Sequence, residues 1–464
     1  MNPSTLLKTS AALLAASALS GCMQLAPRYE RPAAPVPATF PNATSVPSGT
    51  AAADLTWQDY FADPALRDVI ELALKNNRDL RIAMLNIDAV RTQYQLRRAD
   101  QLPTVNAGLT ASRAPGSSGN NVSAYSAGLS VAAYEVDLFG RVRSLTDSAA
   151  AQVLASEESR RVVQISLIAS VANQYLALAA DEELLDLTLR TLDTREQSLK
   201  LTQLRFDNGA ASELDLRQAQ TLAEAARVTL AQQRRQRELD RNALALLLGQ
   251  ALPEWPSAPG RVSAIALADV PAGVPSEVLL RRPDVAQAEQ QLVAANASIG
   301  AARAAFWPRI TLTASAGTAS TQLSDLFKDG AWSFAAQLLQ PIFDAGRNRA
   351  NLAVAEVQRD IAVAQYERAI QAAFRDVADA LAGRATLDDQ VRATQAQADA
   401  EQARYSLSEL RFRNGVSSSL ELLDAERSLF AVQQAVVQTQ LAFLQNRVSA
   451  YRALGGGNLG AAGQ

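Results

Sequence analysis

The sequence contains no histidine and a single cysteine, Cys22, in 464 residues. Without histidine the commonest general base and metal ligand are missing. With one thiol, neither a disulfide nor a thiolate metal site can form within one chain. Aromatic residues make up 5% of the chain, few for a compact globular core. The net charge of −3, with no basic run, points away from a nucleic-acid partner. No phosphate-cradling glycine loop, no nucleophile with a histidine partner and no metal-ligand spacing is present. The chain is therefore expected to be no enzyme and to hold no metal and no cofactor beyond a covalent lipid. Past the N-terminal apolar stretch, no segment reads as a transmembrane helix. Any membrane crossing is then expected to be made by strands.

What the chain does have begins at its start. Lys8 precedes an apolar run, Ala11 to Leu19, of about nine residues, far too short to span a bilayer. Leu19-Ser20-Gly21-Cys22 follows and looks like a bacterial lipoprotein signal. Residues 1–21 are then a signal peptide, and Cys22 becomes the first mature residue, carrying an N-acyl group and an S-diacylglycerol. Met23 after the cysteine, rather than Asp, points to onward export to the outer membrane. Residues 22–60 form an acylated tail. Pro27 to Pro47, rich in Pro, Ala and Thr, read as an extended segment with little to bury.

The rest is organised as two copies of one plan. Leu204-Arg205-Phe206-Asp207-Asn208-Gly209 and Leu410-Arg411-Phe412-Arg413-Asn414-Gly415 lie 206 residues apart. In each, Asn-Gly is a helix stop, because glycine takes the left-handed conformation without a Cβ penalty. Ser212-x-x-Asp215 and Ser418-x-x-Glu421 then read as capping boxes that start the next helix. Repeat 1 (61–260) runs from a helix over Asp63 to Arg98, through strands 104–113 and 122–137, to helices 141–207 and 212–248. Repeat 2 (261–454) has a helix, strands 309–319 and 331–342, and helices 346–413 and 418–454. Residues 455–464 form a tail. The strands alternate: Val105, Ala107, Leu109 and Ala111 against Asn106, Gly108, Thr110 and Ser112; Tyr125, Ala127, Leu129, Val131 and Ala133 form the apolar face of the second strand. The long segments lack proline, and at 1.5 Å per residue each makes a rod of roughly 100 Å. Gly249 to Pro275, with five prolines, reads as a linker outside the rods.

Strands of this length and two-faced character suit a membrane barrel, yet four are too few to close one and lipid tolerates no open edge. Several chains must contribute, as a dimer of eight strands or a trimer of twelve. Small polar residues on the inner face would not fill a closed core, which favours the wider, water-filled barrel. A soluble sheet packed on helices is the competing reading. Both hairpins start and end on the same side, so the rods are expected to project from one membrane face and pack into a cylinder.

The sequence resembles the outer-membrane factor family of TolC-like exit ducts, and within it the OprM-like, NodT-type lipoproteins that serve resistance-nodulation-division efflux pumps. The resemblance spans essentially the whole mature chain. It rests on the Leu19 to Cys22 signal, Tyr134-Glu135-Val136-Asp137-Leu138-Phe139-Gly140-Arg141, Leu280-Arg281-Arg282-Pro283-Asp284-Val285, Pro341-Ile342-Phe343-Asp344-Ala345-Gly346-Arg347, Leu422-Leu423-Asp424-Ala425 and Ala453-Leu454-Gly455-Gly456-Gly457. It implies an α+β membrane channel: a homotrimer with a 12-stranded β-barrel, a long periplasmic α-helical barrel and a mixed equatorial domain. That domain is built from the tail, Gly249 to Pro275 and the C-terminal residues. It also implies a periplasmic adaptor (membrane fusion) protein, a proton-driven inner-membrane pump, and a place in the bacterial outer membrane.

The site residues follow from the same likeness. Asp424 matches a position where carboxylates line the constricted periplasmic mouth; its counterpart in repeat 1 is Gln218. Glu421 and Asp215 match pore-mouth carboxylates too, but each is also the fourth residue of a capping box, and both roles stay open. Arg411 and Arg413 either latch the mouth by pairing with nearby acids or are exposed charges favoured by a helix C-terminus. Phe412 stands where the family often has tyrosine, so a latch through that hydroxyl is absent. The tips at Asn208, Gly209, Asn414 and Gly415 are expected to dock the adaptor. Two transport readings remain, the exit duct of a drug or small-molecule efflux pump and that of ABC-driven protein secretion. The lipid signal and the glycine-rich ending favour efflux. A third reading, a coiled-coil envelope protein without a pore, conflicts with the alternating strands.

Overall fold

In the computed structural model, which describes residues 24–41, 56–115, 119–252, 261–268 and 276–456, the elements follow one order twice. Helices α1 (Trp57–Tyr60), α2 (Pro64–Asn76) and α3 (Arg78–Ala99) lead to strands β1 (Val105–Pro115) and β2 (Asn121–Val136), then to α4 (Arg141–Asp207) and α5 (Glu213–Leu248). Helix α6 (Pro283–Ala304), strands β3 (Arg309–Ser320) and β4 (Gly330–Leu339), and helices α7 (Arg347–Arg413) and α8 (Ser419–Ala453) repeat the plan. Cys22 lies outside the described residues. The chain divides into two compact units. Each draws on both copies of the plan.

The first unit holds the sheet, with the described residues of 1–34, Leu85–Glu158 and Ala286–Arg368. Its strand order is β1-β2-β3-β4, antiparallel throughout. The register stacks Leu109, Ala127, Leu129, Ala316 and Trp332 on one face and Thr110, Ser126, Ser315 and Ser333 on the other. The apolar face is uncovered: Trp332 is 81% exposed, and Phe334, Leu338 and Leu109 are also open. On the polar face hydroxyls pair across strands, Thr110 with Ser126 at 2.5 Å and Ser315 with Ser333 at 2.8 Å. The alternation in β2 breaks at a bulge between Val131 and Tyr134, where Ala133 takes φ 55°. One extra residue reverses the facing of the residues after it, so Tyr134 and Val136, not Ala133, continue the apolar face. Strand β4 stops at Leu339 rather than 342, because its partner β3 begins at Arg309.

Where β2 hands over to α4, half-exposed Arg141 donates twice to Glu135, at 2.7 and 2.8 Å. Arg309 at the start of β3 reaches the same carboxylate at 2.6 Å. Phe139 stacks on Trp307 with centroids 5.0 Å apart. The tail in this unit is pinned rather than free. The Arg31 guanidinium donates to both carboxylate oxygens of Glu289 at 2.7 and 3.0 Å, and the Tyr29 hydroxyl donates to the same group at 3.0 Å.

The second unit holds the described residues of 35–84, 159–285 and 369–464. Its core joins Trp57, Tyr60 and Phe61 to Leu66 and Ile70 of α2, Ile168, Tyr175 and Leu176 of α4, Leu244 of α5, and Val448 and Tyr451 of α8. Each large side chain fully buried here contributes roughly 2 kcal/mol. The supposed linker takes part: Val262, Ile265 and Leu267 are buried, and Leu267 bridges to Phe61. Phe40 of the tail is buried and stacks on Phe374 with centroids 4.8 Å apart.

Two further expectations change. The single helix over 63–98 is two helices, because Asn77 is extended (φ −61°, ψ 134°). Its side chain accepts from the Leu80 N–H at 3.0 Å and donates to the Leu247 carbonyl at 2.9 Å, capping α3 while tying it to α5. Helix α4 does contain a window apolar enough to cross a membrane, but 56% of that window is buried. The run is apolar because it packs, as the burial of Ile165, Leu167, Ile168, Val171 and Leu176 demonstrates.

Candidate functional site

The two hairpin tips stop their first helices identically. Gly209 has φ 74° and Gly415 φ 73°. The Gly209 N–H donates to Phe206 at 2.9 Å and the Ala210 N–H to Arg205 at 2.7 Å. The matching bonds, Gly415 to Phe412 and Val416 to Arg411, measure 3.0 and 2.9 Å. This paired 5→2 and 6→1 pattern is the Schellman motif. The side-chain amides of Asn208 and Asn414 each close a further bond, to Leu204 and Leu410, both at 2.7 Å. A Cβ at either glycine would meet nothing within 4 Å. Glycine is required there by its backbone angle, not by space.

The second helices start differently. Ser212 and Asp215 form a full capping box at the start of α5, with both backbone–side-chain bonds at 3.1 Å. Ser418 makes no side-chain cap at α8. Its expected partner Glu421 is engaged elsewhere, 3.3 Å from Arg411 across the same tip. The tips also meet each other: Arg205 lies over the Phe412 ring at 5.3 Å, and the Ser419 hydroxyl donates to Asp215. Hydrogen bonds from Ser212, then from Ser419, hold the Asp215 carboxyl below the usual carboxylate range.

Asp424 sits on α8 between two arginines. Its Oδ1 accepts from Arg427 at 2.5 Å and its Oδ2 from Arg404 at 3.3 Å. Arg404 also holds Glu401 at 2.7 Å. Two guanidinium groups and two carboxylates thus balance locally. Arg413 turns back to Glu409 of its own helix at 2.6 Å. The fold therefore brings Arg411 to Glu421, leaves Arg413 apart from Asp424, and adds Arg404, Arg427 and Ser419. Arg427 stood at i+3 from Asp424 and was legible; Arg404 needs the pairing of α7 with α8. Among the described residues, no cluster of three or more His, Cys, Asp or Glu side chains is placed to hold a metal.

The profile of the outer membrane efflux protein family matches this chain over residues 69–250 and again over 274–456. The chain is 47% identical over 453 residues to the "Probable efflux pump outer membrane protein TtgC" of Pseudomonas putida, covering 95% of this chain and 93% of that protein. It is 46% identical over 461 residues to the "Outer membrane protein OprJ" of Pseudomonas aeruginosa, covering 96% and 95%. Among solved structures, the open state of the MtrE outer membrane channel of Neisseria gonorrhoeae superposes with TM-score 0.87 at 42% identity, covering 94% of this chain and 98% of that one.

Proposed function

This chain belongs to the outer membrane efflux protein family, and we propose that three copies of it close a twelve-stranded barrel as the exit duct of a tripartite efflux pump. It is an outer-membrane component of an efflux pump, as TtgC is named. The duct is passive. A periplasmic adaptor docks on the hairpin tips and a proton-driven inner-membrane pump delivers the cargo.

The carrying observation is the four-stranded sheet with two open edges, β1 and β4, and one uncovered apolar face. Open edges cannot face lipid, and the alternation of strand sense leaves β4 of one copy antiparallel to β1 of the next. The chain's own seam supplies the register. Aligning Pro308 on Pro103 sets Ile310 on Val105 and Ala314 on Leu109; aligning Gly346 on Gly140 sets Ile342 on Val136. Inside the chain, β2 meets β3 at Val131↔Ala314 and Val136↔Ile310. Val131 opposite Val105 and Leu338 opposite Ile310 are themselves equivalent. Transposed to the seam between copies, these pairs become Leu338 opposite Leu109 and Ile342 opposite Val105. The two agree on one register because repeat 2 is one residue shorter where β2 carries its bulge. The same seam would cover Ile342 and Phe343, now 90% and 89% exposed. Conductance of the purified chain in planar bilayers, with the mass of the conducting particle, tests this reading; a conducting monomer would sink it.

Asp424 from each copy is assigned to the periplasmic mouth, with Arg404 and Arg427 as its counter-charges. Arg411–Glu421 is assigned to the same region. Cys22 carries the lipid, which mass spectrometry of the mature N-terminus tests: an unmodified Cys22 ends that assignment.

A further inference from the structure

A cavity of about 420 Å³ opens between α4, α7 and α8, walled by Leu187 and Arg195 of α4, Tyr405 of α7, and Glu426, Leu429 and Phe430 of α8. Two of these side chains are buried, opposite in charge and incompletely partnered. Glu426 is 9% exposed and Arg195 5%. Glu426 Oε2 and Arg195 Nε have no hydrogen-bond partner. The Arg195 guanidinium donates once, from Nη1 to the Leu222 carbonyl of α5 at 3.1 Å, and otherwise rests over the Phe430 ring at 5.1 Å. Buried ionisable groups are ordinarily paired. Here a carboxyl and a guanidinium border one cavity without meeting.

Most of the surrounding charges are taken up by partners of their own. On α4, Arg190 pairs with Asp186 at 2.8 Å. On α7, Glu409 takes Arg413, and Tyr405 contributes a phenol. On α8 itself, Asp424 and Arg427 hold each other. Arg261 joins the wall from the segment before Val262, and α5 presents the Leu222 carbonyl. Of these, Arg195 is the buried cation whose charge favours an ionised Glu426, while Glu409 opposes it.

We propose that Arg195 and Glu426 form a proton-operated latch between the two helical hairpins: apart across the cavity when Glu426 is neutral, closed into a buried ion pair when it is charged. Ionising Glu426 puts a charge on a wall where Leu187, Leu429 and Phe430 alternate with Thr191, Thr194, Gln402 and Gln433, and a buried charge without a cation partner is costly. Closing on Arg195 satisfies both groups, and the cavity leaves room for it. Because one partner is on the first hairpin and the other on the second, closure draws α8 toward α4 by about 1–2 Å, the scale of a packed helix shift. Burial, the largest influence, pushes Glu426 up to about 6, so the latch operates between mildly acidic and neutral conditions. The device lies within one chain and does not depend on how many copies close the barrel.

The test uses the full chain in detergent or nanodiscs, with spin labels at Leu201→Cys on α4 and Leu420→Cys on α8, both exposed positions, and the unsubstituted chain as the labelling control. Pulsed dipolar spectra are recorded from pH 5 to 8. The distance should shorten as the pH rises, with a midpoint at or below about pH 6 because closure itself favours the charged form. Glu426→Gln should hold the acid-side distance at every pH, and Arg195→Gln should do the same by removing the other partner. Asp181 is the other carboxyl pushed into reach, up to about 8; Asp181→Asn should leave the transition in place. A wild-type distance that does not move, or a transition surviving in both Glu426→Gln and Arg195→Gln, would overturn the latch.

Discussion

Asp215, whose carboxylate accepts the Ser212 N–H at the start of α5, also receives the Ser419 hydroxyl from the first turn of α8. One carboxylate at one hairpin tip thereby organises the helix start at both. Asp215→Ala should lose the reciprocal cap, about 1 kcal/mol, together with the tie, whereas Ser419→Ala should lose only the tie. In thermal unfolding the first variant should melt lower than the second. Since Asp215 is held below its usual value, its contribution is present above pH ~4 and fades as the pH drops through its folded value. The gap between Asp215→Ala and wild type should close in that acid range.

At the tips, Gly209→Val and Gly415→Val force a β-branched residue to φ near 74° and 73°, about 1–2 kcal/mol per position. A Cβ at either position meets nothing within 4 Å, so the chain should still fold and reach the membrane. The double variant should lose efflux through a distorted docking surface. Full efflux at wild-type abundance would count against adaptor docking there.

Asp424 is balanced by Arg404 and Arg427, so removing its charge leaves local positive charge in excess. In planar bilayers Asp424→Asn should lower cation selectivity and weaken block by multivalent cations. Unchanged selectivity and block in an assembled channel would return Asp424 to an ordinary solvated ion-pair partner.

Glu426 sets a pH dependence of stability. Its folded value near 6 exceeds the ordinary 4.5, so between those values the folded chain binds more protons than the unfolded one. Stability is fully present below pH ~4.5, falls as pH rises toward ~6, and stays lower above, by at most about 2 kcal/mol, since closing on Arg195 returns part of it. Glu426→Gln should flatten this fall, and Arg195→Met should steepen it by removing the charge that offsets it. Melting temperatures at pH 5, 6 and 7 for the three proteins decide the matter.

How much of this was legible from residues alone depended on the range of the interactions. Strand alternation such as Val105-Asn106-Ala107 and the Asn-Gly stops at both tips are local, so the pattern carries them. The bulge at Ala133 leaves no trace, because Ala132 and Ala133 look alike on either face. The break at Asn77 hides inside continuous helical spacing; it forms because the Leu247 carbonyl of a distant helix takes its amide. Ser418-x-x-Glu421 reads as a cap until Arg411 claims the glutamate. Tyr29, Arg31 and Phe40 look like tail residues because Glu289 and Phe374, which hold them, lie hundreds of positions away. Likewise Glu426 and Arg195 face one cavity only once the two hairpins pack.

Barrel closure by copies of one chain, in one register, is the central claim, and cysteine cross-linking tests it most directly. The native chain has one cysteine, Cys22, so added pairs are easily read. Ile342→Cys with Val105→Cys places the two thiols on facing positions of adjacent copies, within reach of oxidation or a short bifunctional reagent. The predicted result is a covalent ladder ending at the trimer on a denaturing gel, with Leu338→Cys and Leu109→Cys behaving alike. Ile342→Cys with Ala107→Cys, two residues out of register, should stay monomeric. An assembled trimer that cross-links through the Ala107 pair and not the Val105 pair would contradict the register. A chain that conducts with no cross-link between copies at any pair would contradict the shared barrel itself.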